Sequence, residues 1–463
     1  MSVRTHTYIA PSELRDSPTM SAANAAQAAT DAGRTIAKFT VGDIAVADKP
    51  TKEEKAGWMR ELEEAAKANP KDAKYQTVPE DTDAGKPNVD SYATGKGTDG
   101  FRAAAAFKFS EETGVDMEAK NVAVGTGAKG VLAAIGSYFK PGEEVIMAGP
   151  GWPTNFDVLT PGVKIIEVDT NGRGLISPEQ LSEVLKEHPN AKGLLINTPN
   201  NPTGAMYDDA ERAALMKVIR NEASKDMIAI LDNPYGKILF SGDIPKRSDD
   251  EKALFAEGRA VEVRSVSKEY GLAGRRVGWM LTKNDGLIKQ MGKWNSGRGG
   301  LDSQAQNTAQ SAILFGDKYV ERNRQGLAEK RDIMVKGIGE LQNATMETPP
   351  ATIYAWVDFK GLKGKAVPAE LTLEGKEGFI IEKPADALKF LVEAANIVAV
   401  PGEPFYAPGS SAAGEDWHFR MGFSGAKQTL EKAMADLKAA EGQLKDPKRH
   451  NKGDEGQSTA VGA

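Results

Sequence analysis

The sequence predicts an α/β protein in two parts: a large domain with a mostly parallel sheet flanked by helices, and a smaller α+β domain near the carboxyl end. Three observations support this prediction. Short apolar runs alternate with helical patterns over residues 100–265, as is typical of βαβ units. A long helical pattern follows at 317–341, and beyond it the alternation is lost. The length of 463 residues is enough for two or three domains.

The individual elements are predicted from periodicity and from start and stop signals. A helix begins after Thr51, because Thr51 and Glu54 form a capping-box pattern ahead of apolar residues at helical spacing. Gly114 ends the next helix, and Ser177 with Pro178 starts a later one. In the large domain, strands are predicted at 122–124, 145–148, 163–168, 193–196, 227–231 and 261–264, with helices at 101–113, 128–139, from 178 and at 208–221.

The chain is expected to divide into four segments. An irregular amino-terminal arm and part of the small domain occupy 1–48, and the large domain occupies 49–335. The small domain follows at 336–445, with strands predicted at 353–359, 397–400 and 419–423 and helices at 384–395 and 427–437. The polar, Gly-rich tail at 446–463 is expected to be disordered.

Composition excludes several classes of function. A net charge of −6 disfavours a nucleic-acid-binding protein, which would normally be basic. The absence of cysteine removes thiolate catalysis, and the four histidines have no metal-ligand spacing, so no metal site is expected. No apolar run approaches 18 residues, so no membrane span is expected. The classes of protein that remain are a cytoplasmic enzyme and a cytoplasmic binding protein.

The segment Gly125-Thr-Gly-Ala-Lys-Gly130 matches the GxGxxG pattern between a predicted strand and a predicted helix. One interpretation is a dinucleotide site, which also requires an acidic residue at the end of the next strand. No acid follows the strand predicted at 145–148. A phosphate monoester therefore fits better, since the amides near Gly127, Ala128 and Lys129 would lie at a helix N-terminus.

The most informative segment runs from Ser265 to Gly278, directly after a predicted strand. In an open α/β sheet, ligands bind at the carboxyl ends of the strands. Ser265, Ser267 and Arg276 are suited to bind an anion there, and Lys268 supplies a nitrogen nucleophile. The alternative is a solvated basic loop.

Four other residues each allow two interpretations. Trp152 follows a strand, either as packing or as a stacking partner for a planar ring. Asn201 lies in a Pro-rich turn, which is either only rigid or aims an amide at a ligand. Asp232, with Tyr235 three residues later, ends a buried strand and either meets a cation or protonated ligand or caps a helix. Arg420 lies in an apolar run, where it binds a carboxylate or forms a structural salt bridge.

Together these segments resemble the fold-type I, pyridoxal-phosphate-dependent aminotransferases of class I/II. The resemblance covers roughly residues 36–440, and its motifs occur in the family's order. They are Ser265-x-Ser-Lys268, Gly274-x-Arg276-x-Gly278, Asn201-Pro-Thr-Gly204, Asp232-x-x-Tyr235, Gly127-Ala-Lys129, Trp152, Tyr92-x-x-x-x-Gly97 and Arg420. The resemblance implies a homodimer with shared active sites that moves an amino group between an amino acid and a 2-oxo acid by a ping-pong mechanism.

The resemblance also implies roles for these residues. Lys268 would form an aldimine with the cofactor and then shuttle a proton. Asp232 would keep the pyridine nitrogen of the cofactor protonated. Tyr235 and Asn201 would form hydrogen bonds with the hydroxyl group of the cofactor ring. The remaining cofactor-binding residues it implies are Gly127, Ala128, Lys129, Ser265, Ser267 and Arg276 around the phosphate, Trp152 stacked on the ring, and Tyr92 from the neighbouring subunit. Arg420 would bind the α-carboxylate of the substrate. The other substrate-binding residues that the resemblance implies are Gly42, Asn201 and Trp152.

The sequence departs from the family pattern around the substrate side chain. Gly42-Asp43-Ile44 stands where Gly-x-Pro is usual, and Ala351-Thr-Ile-Tyr354 lacks a glycine that is common there. The substrate therefore stays open. Two alternatives also stay open: a pyridoxal-phosphate-dependent lyase or decarboxylase on the same fold, and a dinucleotide-dependent oxidoreductase.

Overall fold

The computed structural model describes residues 3–6, 27–31, 33–40, 42–44, 48–80, 88–89, 91–158, 162–240, 244–373, 377–414 and 416–446. Its strands are β1 (Val3–His6), β2 (Ala37–Lys38), β3 (Val122–Thr126), β4 (Glu144–Gly149), β5 (Lys164–Asp169), β6 (Gly193–Asn197), β7 (Ile228–Asp232), β8 (Ala260–Ser265), β9 (Val277–Leu281), β10 (Thr345–Met346), β11 (Tyr354–Asp358), β12 (Ala366–Val367), β13 (Phe379–Ile380), β14 (Ile397–Val398), β15 (Val400–Pro401) and β16 (His418–Gly422).

In addition to short 3-10 turns, the described residues also form α-helices. They are α1 (Gln27–Asp31), α2 (Lys52–Ala68), α3 (Asp99–Thr113), α4 (Gly127–Gly136), α5 (Pro153–Val158), α6 (Pro178–Glu187), α7 (Asp209–Glu222), α8 (Asp249–Ala256), α9 (Val266–Glu269), α10 (Asp285–Ser296), α11 (Ser303–Phe315), α12 (Asp317–Gly339), α13 (Pro384–Glu393), α14 (Ser411–Gly414) and α15 (Lys427–Glu441). None of the helices in the described ranges is both long enough and apolar enough to cross a membrane.

The largest sheet has eight strands in the order β1-β5-β4-β6-β7-β8-β9-β3. The five strands from β5 to β8 are parallel, whereas β1 and β9 are antiparallel to their neighbours. Because β3 is antiparallel to β9, it runs in the same direction as β8. The carboxyl ends of β3, β4, β6, β7 and β8 therefore share one edge of the sheet, where ligands bind in such folds.

Both faces of this sheet are covered, and this explains why its strands read as continuous apolar runs. Along β4 and β6, alternate side chains enter different hydrophobic clusters. Ile146 and Leu194 belong to one cluster, while Met147 and Leu195 belong to another, and all four are almost fully buried. The predicted α/β class is confirmed.

A second antiparallel sheet, in the order β10-β11-β16-β15, has its own core. Helix α12 connects the two parts, since Tyr319 near its start packs in the large sheet's core and Met334 and Ile338 near its end pack in the second core. This confirms the smaller α+β part. The domain limits placed after residues 48 and 335 stay predictions.

Some elements differ from the prediction. Strand β1 lies within the arm expected to be irregular, because it extends the large sheet by pairing with β5. The single strand expected at 397–400 is two strands: β14 pairs with β2, and β15 pairs with β16. Elements α8, β9, α10 and α11 were not predicted. The expected disordered tail lies, from residue 447 onward, outside the described residues.

Candidate active site

A cleft of about 260 Å³ opens at the edge of the large sheet where β6, β7 and β8 end. It is lined by many of the residues that the sequence predicts for the site, namely Ala128, Lys129, Trp152, Asn201, Asp232, Tyr235, Ser265, Ser267, Lys268 and Arg276. Asn197, Pro234 and Ala273 complete the lining. Residues from distant parts of the chain meet here because parallel strands end at a common edge.

One corner of the cleft is suited to an anion. Helix α4 begins at Gly127, where its first backbone N–H groups have no partner within the helix. A β-carbon on Gly127 would lie 2.7 Å from Nη2 of Arg276, and one on Gly278 would lie 2.4 Å from the carbonyl carbon of Gly127. The two glycines therefore allow the Arg276 guanidinium to approach the start of the helix. A guanidinium beside a helix N-terminus is an arrangement that binds phosphate.

Lys268 is held by the short helix α9 that follows β8. Ser265 ends the strand and caps this helix, since its Oγ accepts a hydrogen bond from the backbone N–H of Ser267 at 3.0 Å. The Lys268 ammonium donates to the carbonyl oxygen of Gly42. Gly42 therefore borders the cleft through its backbone, although it does not belong to the lining itself.

Asp232 is the buried carboxylate of the cleft, with 1% of its surface exposed. Its Oδ2 accepts a hydrogen bond from Nδ2 of Asn197 at 3.0 Å, while its Oδ1 has no hydrogen-bond partner among the described residues. Burial raises the pKa of Asp232 to about 7, and the nearby amide of Asn155 opposes this rise. No hydrogen bond of standard geometry joins Asn155 to the carboxylate. A protonated group of a ligand would satisfy Oδ1 and lower this pKa.

The opposite side of the cleft is bordered by two adjacent strands of the second sheet, β11 and β16. Tyr235 lies 3.3 Å, oxygen to oxygen, from the hydroxyl of Tyr354 in β11. Arg420 in β16 donates to Oδ1 of Asn201 at 3.1 Å and to the carbonyl of Thr40 at 3.0 Å. Its guanidinium also lies 4.4 Å from the centre of the Tyr354 ring. Arg420 thus stands at the rim of the cleft behind Asn201, rather than in its lining.

Trp152 and Tyr92 have contrasting surroundings. Trp152 lines the cleft, and the ammonium of Lys129 lies 5.8 Å from the centre of its ring. Tyr92 is 93% exposed and lies outside the lining. Within this chain alone, the structure therefore brings together the predicted residues except Tyr92. Across the described ranges, no cluster of His, Asp and Glu side chains is arranged to hold a metal ion.

Sequence reasoning missed two polar residues of the site, Asn197 and Asn155, and the contact that Tyr354 makes with Tyr235. Asn197 ends β6 directly opposite Asp232 at the end of β7. The sequence carried a signal for this pair, because each residue directly follows an apolar run predicted as a strand. Asn155 lies one turn after Trp152 and is buried to 2% exposure. Tyr354 carried no local signal, because it reaches Tyr235 only through the packing of the two sheets.

Comparisons with known proteins show which proteins this chain is similar to. The family model described as aminotransferase class I and II matches residues 54–437. An aspartate/prephenate aminotransferase of Cereibacter sphaeroides is 28% identical over 356 residues, which cover 75% of this chain and 83% of that protein. An aspartate aminotransferase of Rhizobium meliloti is 27% identical over 355 residues, covering 75% and 81%. The crystal structure of the Rhizobium meliloti aspartate aminotransferase aligns with a TM-score of 0.75 over 94% of this chain and 98% of that chain, at 23% identity, a likeness of fold.

The raised pKa of Asp232 predicts how the ligand-free protein responds to pH. A carboxyl whose pKa is raised in the folded state favours folding at low pH, and this contribution is lost as the pH rises from about 4 through about 7. Asp232→Asn removes the titrating group. Thermal unfolding at pH 5 and pH 8 should show the variant gaining stability relative to the wild type at pH 8. An equal difference at both pH values would contradict the raised pKa.

Proposed function

The chain belongs to the class I and II aminotransferase family, and we propose that it binds pyridoxal phosphate in this cleft and moves an amino group between an amino acid and a 2-oxo acid by a ping-pong mechanism. The family match confirms the resemblance carried by the motifs and supports transfer chemistry over the lyase and oxidoreductase alternatives. The observation that carries the proposal is the meeting, in one cleft, of an amine, a buried carboxylate and an anion-binding corner.

The cleft fits this cofactor at three points. The partnerless Oδ1 of Asp232 matches a protonated ring nitrogen, and the corner formed by Arg276 and the start of α4 matches a phosphate. The Trp152 side chain offers a flat face for the ring. When bound, pyridoxal phosphate supplies an aldehyde that condenses with amines and a ring that accepts an electron pair.

The residues of this chain then have distinct tasks. Lys268 would hold the cofactor covalently through its side-chain nitrogen and would move a proton at the substrate's α-carbon. Asp232 holds a proton on the ring nitrogen. Tyr235 and Asn201 donate hydrogen bonds to the ring hydroxyl. Arg420 binds the α-carboxylate of the substrate, since a guanidinium forms paired hydrogen bonds with a carboxylate.

The names of the relatives suggest the first substrate to test. They include aspartate and aspartate/prephenate aminotransferases, and at 27–28% identity these names serve as a guide to candidates. Aspartate is therefore our proposed amino donor. Lys129 adds a positive charge to the cleft, which suits an acidic substrate.

We further propose a homodimer, in the cytoplasm, with Tyr92 completing the site of the neighbouring subunit. The exposure of Tyr92, at 93%, supports this assignment, because a large aromatic side chain so open to solvent is suited to contact another chain. The phenol would donate a hydrogen bond to the phosphate in the partner's cleft.

Replacement of Lys268 tests the proposed function directly. Lys268→Ala should lose the covalent link to the cofactor and lower the rate of amino-group transfer from aspartate about 10²–10⁴-fold, because a proton-transferring group is removed. Lys129→Ala, which removes another cleft lysine, should keep the link. The link is followed by the visible absorbance of the bound cofactor, and transfer by the 2-oxo acid formed. Carbon dioxide release without 2-oxo acid would favour a decarboxylase instead.

The anion-binding corner is tested by a pair of glycine variants in one segment. In Gly278→Ala, the new methyl group would lie 2.4 Å from the backbone of Gly127, so affinity for pyridoxal phosphate should fall about tenfold or more, in line with an overpacking cost of about 1–3 kcal/mol. Gly274→Ala is the control, since nothing lies within 4 Å of its methyl group. Equal affinities of the two variants, measured by fluorescence titration, would contradict this assignment.

The role of Tyr92 predicts complementation between two impaired variants. Tyr92→Ala and Lys268→Ala are each expected to have low activity. After the two are unfolded, mixed and refolded together, hybrid dimers should recover about a quarter of the wild-type activity, because half of the dimers are hybrids with one intact site in two. If Tyr92 served its own subunit, mixing would restore nothing.

A further inference from the structure

Beneath the cleft lies a set of charged side chains that the proposed chemistry does not use. We call it the buried ion network, and its members alternate in sign along a chain of contacts: Arg212, Glu251, Arg247, Glu262, Arg264, Glu112 and Lys237. Glu251 and Glu262 are fully buried. Such charges are rare inside proteins unless they are paired, so the network needs every contact.

The contacts within the network are short and continuous. Arg212 binds both oxygens of Glu251 at 2.8 Å, and Arg247 bridges Glu251 at 3.0 Å to Glu262 at 2.5 Å. Arg264 then joins Glu262 at 2.7 Å to Glu112 at 2.6 Å.

The network touches the same turns that carry the site. Arg264 immediately precedes Ser265, and Lys237 comes two residues after Tyr235. Asn233, the neighbour of Asp232, donates to Oε1 of Glu262 at 3.0 Å. On these turns, one residue faces the cleft and a close neighbour faces the network.

Glu269, directly after Lys268, makes the contact that joins two of these turns. It is 3% exposed, and its Oε1 accepts a hydrogen bond from the backbone N–H of Lys237 at 2.9 Å. This bond ties the helical turn that carries Lys268 to the turn that carries Tyr235. Among the residues described, Glu269 forms no ion pair within 4 Å, since the nearby cations Lys237 and Arg264 both pair with Glu112. The Oε1 atom of Glu269 instead accepts from the backbone of the turn that carries Tyr235.

Charged groups on three elements face Glu269: Arg264 of β8, Glu112 of α3, and Lys237 in the turn after β7. Tyr270, next in sequence, lines the same small cavity. Burial raises the pKa of Glu269 to about 7, while Arg264 and Lys237 oppose the rise. Burial thus disfavours the charged form of this carboxyl, while the two nearby cations favour it. In such a buried place its hydrogen bond to the backbone of Lys237 is stronger than it would be in water.

We propose that Glu269 is a positioning residue, which fixes the amine of Lys268 relative to Tyr235 and Asp232 through its bond to the backbone of Lys237. This inference rests on the proposed function of Lys268. A carboxylate that only stabilised the core would affect folding; Glu269 also affects the protonation of the Lys268 nitrogen, because the distance from that nitrogen to the charged and hydroxyl groups of the cleft depends on the two turns.

The test measures the pH dependence of the visible absorbance of the holoenzyme, which reports protonation at the Lys268 nitrogen. Glu269→Ala should shift the midpoint of this transition by about one pH unit, because the Lys268 nitrogen would no longer be held at a fixed distance from the charged and hydroxyl groups of the cleft. It should lower kcat about tenfold and leave KM for aspartate within about twofold. Glu269→Gln keeps an acceptor oxygen in place, so its transition midpoint and its kcat should stay close to those of the wild type.

Two further variants separate positioning from stability. Glu251→Gln breaks the ion pairs with Arg212 and Arg247, at the opposite end of the chain of contacts from Lys237, so it should lower the thermal midpoint and leave the absorbance transition unchanged. Glu269→Asp keeps the charge but withdraws the oxygen by one methylene group, so it should shift the transition in the same direction as Glu269→Ala. If Glu269→Ala fails to fold, Glu269→Asp still tests whether Glu269 positions Lys268.

The outcomes are distinct. A Glu269→Asp variant with an unchanged transition and unchanged kcat would overturn the positioning role, even if its stability is reduced. A wild-type protein that acquires no visible absorbance with pyridoxal phosphate would overturn the proposed function, and this inference with it.

Discussion

The burial of one carboxyl group at the end of a strand is the constraint on which the site depends. Asp232 is almost fully buried, and among the described residues its carboxylate accepts a hydrogen bond only from the side-chain amide of Asn197, at one oxygen. An ionised carboxylate in such a place is unfavourable unless a positive group meets it. The large sheet supplies the place, because its parallel strands end at one edge and leave the carboxyl facing a cleft. The same edge carries Lys268 and the anion-binding corner, so one cofactor can satisfy all three.

The close approach of backbone segments is the second requirement. Gly127 and Gly278 bring the start of α4 against the beginning of β9. A side chain at Gly278 would collide with the backbone of Gly127, and Gly127 itself has a φ of 75°, which disfavours any other residue. The second sheet contributes from the other side through Tyr354 and Arg420, which contact Tyr235 and Asn201. The relative placement of the two sheets thus sets the distance between Arg420 and the residues that line the cleft.

Much of the fold followed from local patterns, and the exceptions have physical reasons. Strands such as β6 were predictable because a sheet covered on both faces requires uninterrupted apolar residues. Strand β1 was not, since an edge strand forms only when a partner such as β5 offers free backbone groups. The split of the 397–400 run into β14 and β15 also depends on partners, which lie in two different sheets.

The sequence by itself determined most of the residues that meet in the cleft, because a lysine, an aspartate and glycines at fixed spacing follow strands whose ends must meet. Tertiary structure alone decided how those residues are supported. The Tyr354 hydroxyl beside Tyr235 and the Glu269 bond to the backbone of Lys237 join segments 119 and 32 residues apart, and no local pattern encodes either contact. The physical reason is that short-range periodicity records which face of an element is buried, whereas a polar contact between elements depends on how those faces pack.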